Sequence, residues 1–277
     1  MSKIISKLSS RKRYLQIALN STLEEARKII AQIPISDRIL IEAGTPLIKR
    51  YGEEGIKKIK QWYQEHILGQ PLTLKENLIN EEKQDEAQFS RDITSLISLF
   101  LKPRVNKSFS QKQVVPIEII PYVVADLKMM DRGETEVEIA ARAGANAAVA
   151  LGQAPIESLN AFIQKCEELG IDAMVDMMNV EFPLSILRQL KKLPRVVILH
   201  RGVDEERLNK EKQIPLHEIR RIKGNYDILI AIAGGDTLKE AQRAIFNDAD
   251  IVVVWRSFFQ SSRDTAMLAE QFLKEIK

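Results

Sequence analysis

The chain has 277 residues, 45% of them hydrophobic and 29% charged, a globular balance that excludes a disordered chain and suffices for a sizeable core. Lys plus Arg number 41 and Asp plus Glu 38, so the formal charge of +3 supplies no whole-surface field for nucleic acid or anionic lipid. A single cysteine and three histidines exclude a disulfide framework and a cysteine-rich zinc site, and no apolar run approaches the roughly 18 residues of a membrane span.

The N-terminal stretch MSKIISKLSSRKRY is basic without an apolar signal core, which predicts an unexported, cytoplasmic protein with Arg11-Lys12-Arg13 as a solvated tail. Short β-branched apolar runs then alternate with amphipathic stretches. The predicted strands are Leu15–Leu19, Arg38–Ala43, Tyr122–Leu127, Ala147–Leu151, Asp172–Met178, Val196–His200, Asp227–Ala233 and Ile251–Trp255. Helical patterns cover Thr22–Ile33, Gly133–Ala143, Ile156–Leu169, Pro183–Lys192, Thr237–Phe246 and Thr265–Ile276, and another follows the second strand and fades near His66. Eight buried-looking strands, most followed by a helix, predict an α/β fold, a (β/α)8 TIM barrel spanning residues 1–277 as a single domain. An open doubly wound sheet is the rival, but it would usually contain fewer strands.

One interval breaks the alternation. Residues 68–120, between the second helix and the third strand, begin polar and charged and end in an extended stretch with Pro103 and Pro116 that runs up to Pro121. Connections in compact domains usually take about 2–6 residues, so this is an inserted excursion. It is either a solvated decoration of the barrel, a lid, or an arm for a protein partner.

Chemistry in such barrels sits at the C-terminal ends of the strands. Strand one ends in Asn20, strand two carries Glu42, and strand three delivers Asp126, Lys128 and then Asp131. Strand five carries Asp176 and is followed by Asn179; strand six ends in His200 with Arg201 behind it. Strand seven runs into Gly234-Gly235-Asp236 and strand eight into Trp255-Arg256. Several polar groups converging on one end are harder to explain by core packing than one would be. Asp176 and Asn179 either orient a substrate or make structural hydrogen bonds. His66 and His217 are expected at the surface, and Cys166 in helix packing.

At Asp126–Asp131 the sequence DLKMMD forms a D-x-K-x-x-D motif that resembles the orotidine 5′-phosphate decarboxylase suprafamily. The segments IEAGTPLIKRYG (Ile41–Gly52), VVADLKMMDRGETEVEIAARAGAN (Val123–Asn146) and IAIAGGDT (Ile230–Thr237) are similar to its 3-hexulose-6-phosphate synthase branch, particularly archaeal members. The resemblance covers most of Tyr14–Phe259, apart from the interval 68–120.

That resemblance implies an aldolase-type lyase that condenses formaldehyde with D-ribulose 5-phosphate, or runs the reverse, through an enediolate. It implies Mg²⁺ held by Glu42 and Asp126, since hard oxygen ligands suit that ion. Lys128, held between Asp126 and Asp131, would be a protonated electrostatic group, and His200 the proton shuttle. Asp131 would reach into the neighbouring subunit's site, making a homodimer obligatory. Backbone N–H groups near Gly234 and Gly235, with Arg256, would bind the substrate's phosphate. A related sugar-phosphate decarboxylase (keto-gulonate phosphate or orotidylate type) and a non-catalytic barrel that binds a phosphorylated ligand or a partner are the alternatives. The keto-gulonate enzymes carry Arg three residues after the strand-six histidine, where this chain has Val203, which favours the aldolase. Two departures stand out. Asn20 replaces the family's Asp and brings no charge. Trp255 replaces a close-approach glycine; its indole is expected to pack outward against the final helix, leaving the phosphate site open.

Overall fold

The computed structural model describes residues 8–73, 119–260 and 264–277. Its eight strands are β1 (Tyr14–Leu19), β2 (Ile39–Ala43), β3 (Val123–Met129), β4 (Ala147–Leu151), β5 (Asp172–Asp176), β6 (Val196–His200), β7 (Leu229–Ala233) and β8 (Ile251–Val254). All pair in parallel in sequence order, and β8 pairs back onto β1, closing the (β/α)8 barrel. The helices are α1 (Leu23–Ile30), α2 (Thr45–Ile67), α3 (Gly133–Arg142), α4 (Ile156–Leu169), α5 (Pro183–Leu187), α6 (Val203–Leu208), α7 (His217–Lys223), α8 (Leu238–Phe246), α9 (Arg256–Gln260) and α10 (Thr265–Glu275). The predicted insertion falls between α2 and β3, and its residues 74–118 lie outside the described residues.

The period-2 alternation of a strand sorts its side chains into two cores. One set, including Tyr14, Ala18, Leu40, Val124, Val149, Met174, Ile198, Ala231 and Val253, fills the barrel interior. The other, including Leu15, Ile17, Ile41, Val123, Val175, Leu199 and Val252, meets the helices around it. Both faces are therefore apolar, as parallel strands covered by helices require. Helix starts are marked locally: Thr22 and Thr237 each accept from a backbone N–H three residues on, while Glu25 and Glu240 bond back, forming capping boxes for α1 and α8.

Several boundaries differ from the sequence reading. The helix predicted over 183–192 stops at Leu187, and the Lys191 backbone N–H turns to Asn160 Oδ1 instead. The helical context expected at His217 is α7, whereas no predicted helical pattern covers α6 or α9. Helix α6 has no buried residue, so its hydrophobic pattern carries no signal. The basic Arg11-Lys12-Arg13 run is not simply a solvated tail: Arg13 pairs with Asp248 at 2.7 Å and Asp250 at 3.0 Å, and Lys12 pairs with Asp37. His66, expected at the surface, is half-buried with Nε2 2.8 Å from the Ile33 carbonyl. His217 is exposed and Cys166 is fully buried, as expected. Among the described residues no helix is long and apolar enough to cross a membrane.

Candidate active site

The inward-facing positions nearest the C-terminal strand ends are polar, and they line one cavity of about 500 Å³. Strand β2 contributes Glu42 and β3 contributes Asp126, both buried in the single chain. Pairing of β3 with β4 shifts register between Ala125 and Met129, and Lys128 takes a left-handed backbone, φ 47°. Asp126 and Lys128, two residues apart on β3, share the inward face by strand alternation. Strands β5 and β6 add Asp176 and His200, and Asn20 follows β1.

A continuous chain of polar contacts results. The Lys128 ammonium lies 3.1 Å from Asp126 Oδ2 and 3.0 Å from Asp176 Oδ2. The same Asp176 oxygen lies 2.7 Å from His200 Nδ1, while Asp176 Oδ1 accepts the Met178 backbone N–H at 2.9 Å. Two groups that the sequence reading did not single out complete the arrangement. Thr45 donates to Asp126 Oδ2 at 2.8 Å, and Gln16 Nε2 donates to Glu42 Oε2 at 2.5 Å. Gln16 was detectable as a polar side chain at an inward position of an otherwise apolar strand. Gly44 permits Asn20 to lie against the start of α2, because a Cβ there would stand 1.9 Å from Asn20 Oδ1.

Electrostatics divide the roles. Burial would lower the Lys128 pKa, but Asp126, Asp176 and Glu42 overcome it and raise the pKa well above the usual range, so the ammonium stays charged. Burial would raise Asp176, but His200 and Lys128 outweigh it and hold the carboxyl at about 2. His200 is raised above its ordinary value: burial opposes the charge, and Asp176 more than compensates. Glu42 is pushed up to about 7, first by burial and then by the facing charge of Asp126, against the smaller effects of Lys128, Gln16 and His200.

The donor set fits a hard divalent ion. Glu42 and Asp126 present carboxylate oxygens to the same cavity, close enough that the Asp126 charge adds to burial in raising Glu42. Among the described residues no group of three or more His, Cys, Asp or Glu side chains is arranged to hold a metal, so further ligands would come from water or substrate.

Other predicted site residues are placed differently. Lys128 sits between Asp126 and Asp176, not between Asp126 and Asp131, because Asp131 lies beyond the end of β3 and is exposed. Asn179 is exposed outside the cavity lining, in a left-handed turn with φ 57°, where its carbonyl accepts from Gln153. At the phosphate end, Gly234 lines the cavity with φ 90°, and a Cβ on it would stand 2.1 Å from the Arg201 carbonyl oxygen. Gly235 is instead packed against Glu240 and Ile214, outside the lining. Arg201 is buried and donates to the Gly234 carbonyl at 2.7 Å.

The outward placement expected for Trp255 is overturned. Its side chain packs against the barrel-interior cluster that contains Ile251 and Val253, and Trp255 lines the cavity. Alternation along β8 carries the same parity from Ile251 through Val253 to Trp255, so strand geometry turns the indole inward. The cavity nevertheless retains its volume of about 500 Å³.

A closed β/α barrel whose mouth joins carboxylates, a lysine and a histidine belongs to the class of barrels that carry catalytic sites at their strand ends. The chain belongs to the orotidine 5′-phosphate decarboxylase / HUMPS family, whose model matches residues 121–272. It is 32% identical over 264 residues to a "Bifunctional enzyme Fae/Hps" of Methanosarcina barkeri, covering 95% of this chain and 52% of that protein. A second, from Methanosarcina mazei, is 33% identical over 264 residues with the same coverage. The chain thus spans about half the length of the curated relatives it matches. Among solved structures, the 3-hexulose-6-phosphate synthase from Salmonella typhimurium superposes with a TM-score of 0.68 at 22% identity, covering 95% of this chain and 98% of that one. At that identity the likeness concerns the fold.

Proposed function

We propose that this chain is a lyase of the 3-hexulose-6-phosphate synthase type, adding formaldehyde to D-ribulose 5-phosphate or running the reverse. The observation that carries the reading is the Asp126–Lys128–Asp176–His200 chain of contacts, which opens with Glu42 onto one cavity. Kinship with the Fae/Hps proteins supports it.

In this mechanism His200, oriented through Nδ1 by Asp176, uses Nε2 to take a proton from C1 of the ketose phosphate. The electron pair left on C1 and C2 forms an enediolate, whose negative oxygen is stabilised by the permanently charged Lys128. Carbon C1 then bonds to the formaldehyde carbon, and the new alkoxide recovers the proton, giving a 3-hexulose 6-phosphate. Glu42 and Asp126 would hold Mg²⁺, which when bound supplies Lewis-acid charge opposite the developing oxyanion. Asn20 lines the cavity as a neutral hydrogen-bonding group for a substrate hydroxyl. The test is a Mg²⁺-dependent assay with ribulose 5-phosphate and formaldehyde beside a panel of keto-acid sugar phosphates. Hexulose phosphate formation is expected, and turnover of a panel member alone would overturn the assignment.

Two further outcomes follow from the assigned roles. Asp126→Asn and Glu42→Gln should each weaken Mg²⁺ binding at least tenfold in calorimetry while circular dichroism stays unchanged. Unaltered affinity in both variants would remove the metal assignment. Asp131, exposed in the single chain, is the residue proposed to serve the opposite site of a two-fold dimer. Mixing inactive Asp131→Ala with inactive Lys128→Ala subunits should then restore activity, because one mixed site is intact. An active monomer in sedimentation would refute it.

A further inference from the structure

The β7–β8 side of the cavity is built differently from the lysine–histidine side. Asp236, directly after Gly234-Gly235, turns its carboxylate toward the segment that follows β8. Its Oδ1 accepts the Trp255 backbone N–H at 2.7 Å, and its Oδ2 accepts the Arg256 Nε–H at 2.8 Å. The Ser257 hydroxyl donates to the Asp236 carbonyl, which ties the two segments together a third time. A terminal nitrogen of Arg256 pairs with Glu206. A backbone N–H and a guanidinium N–H presented side by side form an anion subsite of the kind a phosphate oxygen pair would use. Here the chain's own carboxylate already spans both donors.

The charge balance points the same way. Glu206, Asp204 and Asp236 line the cavity with Arg256, and Glu206 also pairs with Arg201 at 3.4 Å; the other lysine or arginine in the lining, Lys128, is engaged by Asp126 and Asp176. An arriving phosphate meets engaged donors and groups of its own sign. It gains the donors only by displacing a carboxylate, and then pays for separating Arg256 from Asp236.

We propose that Asp236 is a specificity-determining residue: an internal anion that occupies the subsite after β8 and sets how much binding this chain obtains from a ligand's phosphate group. The proposal deepens the lyase reading, since it takes the phosphate end of the sugar to lie toward β7 and β8, but its test does not depend on turnover.

The experiment measures dissociation constants for inorganic phosphate, D-ribulose 5-phosphate and unphosphorylated D-ribulose by calorimetry on the full chain and on Asp236→Asn. The asparagine oxygen can still accept the Trp255 N–H, while the charge facing Arg256 is removed. Both phosphate-bearing ligands should bind at least tenfold more tightly to the variant, and ribulose should change less than threefold. Unchanged or weaker binding of inorganic phosphate would overturn the proposal, as would equal tightening of ribulose. If Asp236→Asn does not fold, Glu206→Gln removes the second carboxylate from Arg256 and is read by the same criteria. Tightened phosphate binding without any lyase turnover leaves this inference standing and removes the lyase reading. Turnover in the parent chain with no tightening in the variant does the reverse.

Discussion

Replacing Lys128 with methionine is expected to lower kcat/KM for formaldehyde addition by about 10²–10³-fold, the scale of losing one preorganised group opposite a developing oxyanion. The ammonium contacts Asp126 and Asp176 together, so its removal strips two carboxylates of their shared cation. Glu42, already at about 7, should rise further, because Lys128 is one of the groups that lower it. The side chain is 23% exposed, so the cost in stability belongs near the low end for breaking a buried pair, about 3 kcal/mol at neutral pH. That cost should shrink as pH falls and Glu42 takes up its proton. Steady-state kinetics and urea unfolding at two pH values check both effects. Retention of more than a fifth of the activity would show that Lys128 is a structural ion-pair member only.

Asp176→Asn is expected to reduce kcat by about 10²–10⁴-fold, the range associated with a positioned general base and its orienting partner. The physical reason is visible in the pH behaviour of His200. Burial opposes the imidazolium, and Asp176 reverses that effect, leaving the pKa raised. With Asp176 neutralised, burial is no longer countered by its charge, so the His200 midpoint should fall, toward or below about 6.5. In the parent chain the ascending limb of kcat/KM should therefore lie above about pH 6.5. The sign for stability follows from the same raised pKa. The raised His200 pKa contributes stability that is fully present below about pH 6.5 and is lost as pH rises through the folded midpoint. Only three histidines are present, so NMR titration can follow His200 directly beside His66 and His217. An unchanged or higher midpoint in Asp176→Asn would contradict the role given to Asp176.

The barrel was legible because eight apolar runs separated by amphipathic stretches admit few parallel closed arrangements, and periodicity is a local property. The same alternation put Glu42, Asp126, Asp176 and His200 at the mouth, since a buried strand offers no other reason for an ionisable residue at its end. It also held the answer for Trp255, whose parity with Ile251 and Val253 points inward; the resemblance to relatives with glycine there obscured that signal.

What the sequence alone determined is the fold, the end of the barrel that carries chemistry, and most of the polar groups that gather there. Only the tertiary structure decided which of those groups meet. It gave Lys128 to Asp176 at a separation of 48 residues, and Arg256 to Asp236 and Glu206 at separations of 20 and 50. It also left Asp131 and Asn179 outside the cavity lining and set Gly235 into packing. The physical reason is that side-chain pairing across a barrel depends on register, bulges and the left-handed turn at Lys128. These arise from how separate strands fit together, and no window of local sequence contains them.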